Sequence, residues 1–108
     1  MPMTDWIKLM PATDIPQDNV VSVVIDGRAF AVFGVEGEAF ATDAKCTHGD
    51  AKLCDGVLIG HEIECPLHQG RFDVRSGEAT FGPACESVKT YGTKVKDGVL
   101  WLWPDADN

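Results

Sequence analysis

The sequence predicts an all-β protein, and three observations carry that expectation. Val20-Val21-Ser22-Val23-Val24-Ile25 and Ala29-Phe30-Ala31-Val32-Phe33 are β-branched and aromatic runs joined by Asp26-Gly27, a dipeptide favoured in tight hairpin turns. The same arrangement recurs near the C-terminus, where Lys94-Val95-Lys96 and Val99-Leu100-Trp101-Leu102-Trp103 flank Asp97-Gly98. Between these hairpins, the stretch 45–85 is cut into short pieces by turn signals and has no helical period around its Cys/His pairs.

Taken in order, a weak strand is expected around Trp6-Ile7-Lys8-Leu9, followed by a proline-containing loop from Pro11 to Gln17. The first hairpin comes next, and Glu36-Gly37 separates it from a further strand at Ala39-Phe40-Ala41. Within 45–85, Asp55-Gly56, Gly60-His61 and Ser76-Gly77 mark turns, and short strands fit Val57–Ile59, Glu62–Glu64, Arg71–Asp73 and Glu78–Thr80. That stretch reads as a small insertion of hairpins. Trp101 and Trp103 fall on one face of the last strand at period two, where core packing is the expected role and an electron relay the alternative.

At 108 residues the chain fits a single domain able to bury one core. No apolar run approaches the roughly twenty residues a membrane helix needs, and Met1 to Asp5 lack the basic and apolar regions of a secretion signal. The expected setting is therefore the cytoplasm. A formal net charge of −8 argues against nucleic acid and against anionic membranes, and suits steering toward a basic surface on a protein partner. The charge is uneven: 1–44 hold two basic and seven acidic side chains, a balance of −5, against four and six, a balance of −2, in 45–85.

The chemistry lies in Cys46-Thr47-His48 and Cys65-Pro66-Leu67-His68, a C-x-H and a C-x-x-H pair with sixteen residues between them. Each pair sets one thiolate and one imidazole in a loop. Together they supply the donors of a [2Fe–2S] cluster in which two cysteines hold one iron and two histidines the other. Zinc accepts the same four donors. Its common layout, however, puts both cysteines in one knuckle and both histidines on a helix.

In both halves and in their order, C-T-H-G and C-P-L-H-x-G, the motif resembles the Rieske iron–sulfur family. The resemblance implies one Rieske-type cluster ligated by Cys46, His48, Cys65 and His68. It also implies a Rieske fold, with an antiparallel, sandwich-like base from 1–44 and 86–108 and an inserted cluster-binding subdomain at 45–85. Phe81-Gly82-Pro83-Ala84 resembles the family's proline-containing third loop, with an ordinary turn as the plainer alternative. Cys54 and Cys85 are expected as free thiols, with a disulfide between them as the alternative, and His61 as a solvated surface side chain. Gln69 and Arg71 flank the second loop, where they shape docking or are simply solvated.

Two thiolates, two sulfides and two ferric ions sum to zero, so reduction takes a Cys/His cluster only to −1, whereas a four-cysteine cluster goes from −2 to −3. The Cys/His version therefore accepts an electron at a higher potential. Within the family, members from respiratory complexes add a disulfide, a serine and a tyrosine that raise the potential further. The matching positions here are Ala51 and Leu67 for the disulfide, Gly70 for the serine and Phe72 for the tyrosine. A low-potential centre is expected.

The size and content of the chain narrow the role. Once the four ligands are assigned, His61 is the last histidine, too few for the two-histidine, one-carboxylate iron site of a terminal oxygenase. No G-x-G-x-x-G motif points to a reductase. The resemblance then implies a soluble Rieske ferredoxin, expected as a monomer and not itself an enzyme. It would carry single electrons from an NADH-dependent flavin reductase to a terminal aromatic ring-hydroxylating dioxygenase. The alternative is the small Rieske subunit of an enzyme like assimilatory nitrite reductase, and a zinc-stabilised interaction module is a third class.

Overall fold

The computed structural model describes residues 6–45, 51–66, 70–81 and 87–104. Ten strands account for most of it: β1 (Ile7–Pro11), β2 (Asn19–Ile25), β3 (Arg28–Val35), β4 (Glu38–Asp43), β5 (Val57–Ile59), β6 (Glu62–Glu64), β7 (Arg71–Asp73), β8 (Ala79–Phe81), β9 (Thr90–Lys96) and β10 (Val99–Trp103). Two short 3-10 turns, Ala12–Asp14 and Leu53–Asp55, are the helical elements among the described residues. None of these residues forms a helix long and apolar enough to cross a membrane. The expected all-β class holds.

The strands form a six-stranded sheet, ordered β1-β10-β9-β4-β3-β2, and a four-stranded sheet, ordered β5-β6-β7-β8, with every pairing antiparallel. The large sheet folds over on itself where β4 meets β9. Those strands pair only at Ala41–Tyr91 and Thr42–Thr90, and farther along the Thr93 hydroxyl donates to the Ala39 carbonyl at 3.2 Å. The two halves of the sheet then face each other, which is the sandwich-like base.

β3 explains how the layers stack. Its sequence, Phe30-Ala31-Val32-Phe33-Gly34-Val35, is buried throughout, so both of its faces are covered. Phe30 and Val32 point into a core with Leu9, Ala41, Tyr91, Leu100 and Leu102, between the two halves of the large sheet. Ala31, Phe33 and Val35 alternate to the other side and enter a second core with Leu53, Ile63, Cys65, Phe72, Val74 and Val88. The small sheet packs there, through its inward residues Leu58, Ile63, Phe72 and Ala79. The order through the molecule is β1-β10-β9, core, β2-β3-β4, core, small sheet.

Gly77 fastens the small sheet to the large one. Its amide donates to the Asp73 carbonyl at 2.6 Å and its carbonyl accepts from the Val88 amide at 2.8 Å. It sits at φ +81°, and a Cβ there would lie 2.1 Å from the Val88 carbonyl oxygen, so only glycine fits.

Several expectations need correction. The segment expected as a loop from Pro11 to Gln17 begins within β1 and contains the first 3-10 turn, because Pro11 pairs with Val99 and the Ala12 amide donates to the Gly98 carbonyl. Trp101 and Trp103 do share a face, but not the core face: Leu100 and Leu102 are wholly buried and the indoles are left half-buried outside. Leucines fill the narrow space between facing strands more readily than indoles, whose N–H groups need a partner. His61 is half-buried rather than solvated, its ring edge-on to Phe40 at 6.1 Å.

Candidate metal centre

Of the four expected ligands, Cys65 lies among the described residues, and Cys46, His48 and His68 lie outside them. Cys85, Gln69, Leu67 and the Gly82–Ala84 part of the third loop are outside as well. What the structure does define is the footing of each ligand loop.

The first loop rises from an antiparallel bridge between Lys45 and Lys52, reinforced by a 2.7 Å hydrogen bond from the Leu53 amide to the Ala44 carbonyl. β4 delivers the chain into this bridge and the Leu53–Asp55 turn takes it away, with Leu53 buried as its anchor. The second loop leaves β6 and returns to β7. It is closed at its base by the Cys65 amide donating to the Gly70 carbonyl at 2.7 Å. Each loop is thus pinched between paired backbone at its base.

Both footings meet one apolar cluster. Cys65 is fully buried within it, and Ala51, the first described residue after the first loop, packs against it. Phe72, the position expected to tune the centre, belongs to the same cluster and is 0% exposed. A thiolate held in such surroundings is costly without a positive partner. The donor set of two thiolates and two imidazoles, with one thiolate carried on this dry floor, fits a [2Fe–2S] cluster. Among the described residues no group of three or more His, Cys, Asp or Glu side chains forms a separate metal site.

The rim of the site is a cross-strand row on the outer face of the small sheet. Val57, Glu64, Arg71 and Phe81 lie opposite one another across β5 to β8. Arg71 reaches Glu64 at 3.3 Å and Glu62 at 3.8 Å, and stacks over the Phe81 ring at 5.3 Å. Val57 and Phe81 are about 60% exposed, at 60% and 61%, so apolar surface remains at both ends of the row. Neither the row nor the lysine bridge was anticipated from sequence. The alternating Val57/Ile59 and Arg71/Asp73 pattern was the available signal for the row.

Below the first loop, Tyr91 donates its hydroxyl to Asp43 and accepts a 2.6 Å hydrogen bond from Arg28. Burial and the Asp43 carboxylate push the Tyr91 phenol up to about 12, so it stays protonated and keeps donating. Asp43 is three residues before Cys46, so this bond steadies the strand that carries the loop.

Cys54 is a free, half-buried thiol that packs against the same cluster from the Leu53–Asp55 turn. The double variant Cys54→Ser, Cys85→Ser is expected to assemble a cluster with an unchanged EPR spectrum and at most a modest loss of thermal stability. Failure to retain iron in a folded double variant would make one of these thiols part of the site.

Comparison with known proteins points to the same type of cluster. A family model described as the Rieske [2Fe-2S] domain matches residues 5–92. The ferredoxin component of the naphthalene 1,2-dioxygenase system of Pseudomonas putida is 48% identical over 92 residues, covering 85% of this chain and 88% of that protein. Among solved structures, the Sphingomonas yanoikuyae B1 ferredoxin superposes with a TM-score of 0.86 at 37% identity, over 91% of this chain and 97% of that one. A chain from the complex of reduced oxygenase and oxidized ferredoxin in carbazole 1,9a-dioxygenase matches with a TM-score of 0.89 at 31% identity, over 98% and 99%.

Proposed function

The chain belongs to the Rieske [2Fe–2S] domain family, and from that premise we propose that it is the ferredoxin component of an aromatic ring-hydroxylating dioxygenase system. It carries one Rieske-type [2Fe–2S] cluster and is an electron-transfer component rather than a catalytic enzyme. The observation that carries the role is likeness along nearly the whole length to ferredoxins named as dioxygenase components. In this role the chain is a soluble, cytoplasmic monomer. A flavin reductase oxidises NADH and releases two electrons, and the carrier takes them one at a time to the terminal oxygenase.

Cys46 and Cys65 would hold one iron, and His48 and His68, as neutral imidazoles, the other. When bound, the cluster accepts one electron and gives it up again with no bond made to substrate. The part of the chain is to hold the loops still, so that little rearrangement accompanies the change of charge. The Lys45–Lys52 bridge and the Cys65–Gly70 bond do that at the two loop bases. Leu53, Ile63 and Phe72 keep water from the Cys65 side. The stretch 45–85 serves as the cluster-binding segment, with 1–44 and 86–108 as its base. The two-sheet organisation and the placement of both loop footings against the small-sheet core support that division.

The midpoint potential tests the proposal. It should lie near the bottom of the Rieske range, about −150 mV, because Gly70 and Phe72 offer no hydroxyl to a ligand sulfur. Phe72→Tyr should raise it: for one electron, a hydrogen bond that favours the reduced cluster by about 1.4 kcal/mol shifts the potential by roughly 59 mV. A wild-type midpoint well above zero would sink the low-potential carrier. So would a purified protein that is reduced by its reductase but never reoxidised by its oxygenase.

A further inference from the structure

Three charged side chains meet around one phenol at the foot of the first ligand loop. Tyr91, the single tyrosine of the chain, is 6% exposed. The Arg28 guanidinium lies 5.3 Å from its ring centre and the Lys89 ammonium 5.1 Å, and the ring packs edge-on against Phe30 at 5.2 Å. Its hydroxyl donates to the Asp43 carboxylate and accepts from Arg28 at 2.6 Å, so the phenol links an acid on β4 to a base on β3. The Asp43 amide donates to the Lys89 carbonyl at 3.0 Å, and the next amide, that of Ala44, to the Ala29 carbonyl at 3.3 Å. Backbone and side chain together hold position 43 in place.

Asp43 stands three residues before Cys46, and three residues of chain reach no farther than about 11 Å. A carboxylate so near a ligand disfavours the added electron, because reduction takes a Cys/His cluster from zero to −1. The phenol and the guanidinium oppose that effect. Pushed up to about 12, the Tyr91 phenol keeps its proton and draws charge from the carboxylate through the hydrogen bond. The guanidinium behind it carries the opposite sign. A neutral asparagine at position 43 would also accept the Tyr91 hydrogen bond and steady the strand. What the charged acid adds is an effect on the potential.

We propose that the Arg28–Tyr91–Asp43 chain tunes the electron affinity of the centre: Asp43 lowers the midpoint potential, and Tyr91 and Arg28 limit how far it does so. All three are positioning residues, which act on the first ligand loop and donate nothing to iron. The inference rests on the ferredoxin reading above, in which Cys46 and His48 hold the cluster at that loop. It is separate from the tuning at Gly70 and Phe72. There the absence of hydroxyls beside the second loop sets the potential; here a carboxylate and its partial neutralisation act through the first.

The test is a potentiometric titration of the cluster-loaded protein, followed by EPR at one pH and ionic strength. Poised at the wild-type midpoint, Asp43→Asn should hold about twofold more reduced than oxidised cluster, the Coulomb effect of one charge at a distance on the order of 10 Å in a water-like medium. Arg28→Gln and Tyr91→Phe should each move the ratio the other way. In the Asp43→Asn background, Tyr91→Phe should move nothing, because no carboxylate charge is left for the phenol to draw on. Every variant should keep a Rieske EPR signal. Should Tyr91→Phe fail to fold, the opposite signs of Asp43→Asn and Arg28→Gln decide, since a loosened loop has no reason to follow the sign of the charge removed. An unchanged or lower midpoint in Asp43→Asn overturns the proposal. So does a Tyr91→Phe shift of equal size in both backgrounds, or loss of the cluster from folded Asp43→Asn. If the wild type shows no Rieske signal, the ferredoxin reading fails and takes this inference with it. A wild-type signal with no shift in any variant overturns this inference alone.

Discussion

His48→Ala and His68→Ala are each expected to abolish the Rieske EPR signal, while His61→Ala retains it. Removal of either imidazole, as a ligand, would leave one iron short of a donor, and the remaining histidine, His61, is engaged elsewhere: its ring is edge-on to Phe40 and its carbonyl accepts from the Val74 amide. The loss should be nearly complete rather than graded, because a half-ligated iron is open to water and the cluster disassembles. The His61 variant should lose no more than about 1 kcal/mol of stability, the usual scale for a half-buried ring contact. Retained signal in either ligand variant, or loss of it in His61→Ala with the fold intact, would refute the ligand assignment.

Gly34→Ala is expected to be strongly destabilising, with the tightest contact for an added methyl group among the glycines described. A Cβ at position 34 would lie 1.6 Å from the Pro16 carbonyl oxygen and 2.8 Å from its carbon. Both are backbone atoms of the connection between β1 and β2, so no side chain can swing aside. Either β3 or that connection must shift, and β3 is buried on both faces. The cost should exceed about 3 kcal/mol, at the upper end of overpacking penalties. For a domain of this size that corresponds to a fall in Tm of more than about 12 °C. A melting point within a few degrees of wild type would show that the Pro16 segment yields freely.

Much of the fold was legible in the sequence where local chemistry and tertiary pairing agree. β5, β6, β7 and β10 begin and end where their runs of apolar and charged residues do, because Asp55-Gly56, Gly60-His61 and Asp97-Gly98 fix the turns between them. β9 was only half visible. Its first residues, Thr90-Tyr91-Gly92-Thr93, carry no apolar run and owe their extended state to pairing with β4 and β10. β8 sits one residue later than expected because its register shifts between Arg71 and Phe72.

For the site, spacing alone pointed to the donor types and their order, since C-x-H and C-x-x-H are local patterns. The footings were not legible. A bridge between Lys45 and Lys52 sets like charges opposite each other, and nothing local favours that pairing. The two-residue period of the last strand correctly put both indoles on one side. It did not say which side faced the core, because Leu100 and Leu102 satisfy the same alternation equally well.

β3 has a consequence for how the molecule comes apart. A wall common to two rooms cannot be taken down without opening both. Phe30 and Val32 belong to one core and Ala31, Phe33 and Val35 to the other, all on a single stretch of backbone. Heat or denaturant that frees this strand exposes both cores together, so the chain should melt in one step, with no surviving half to hold iron. Iron release and loss of β-structure would then report the same event.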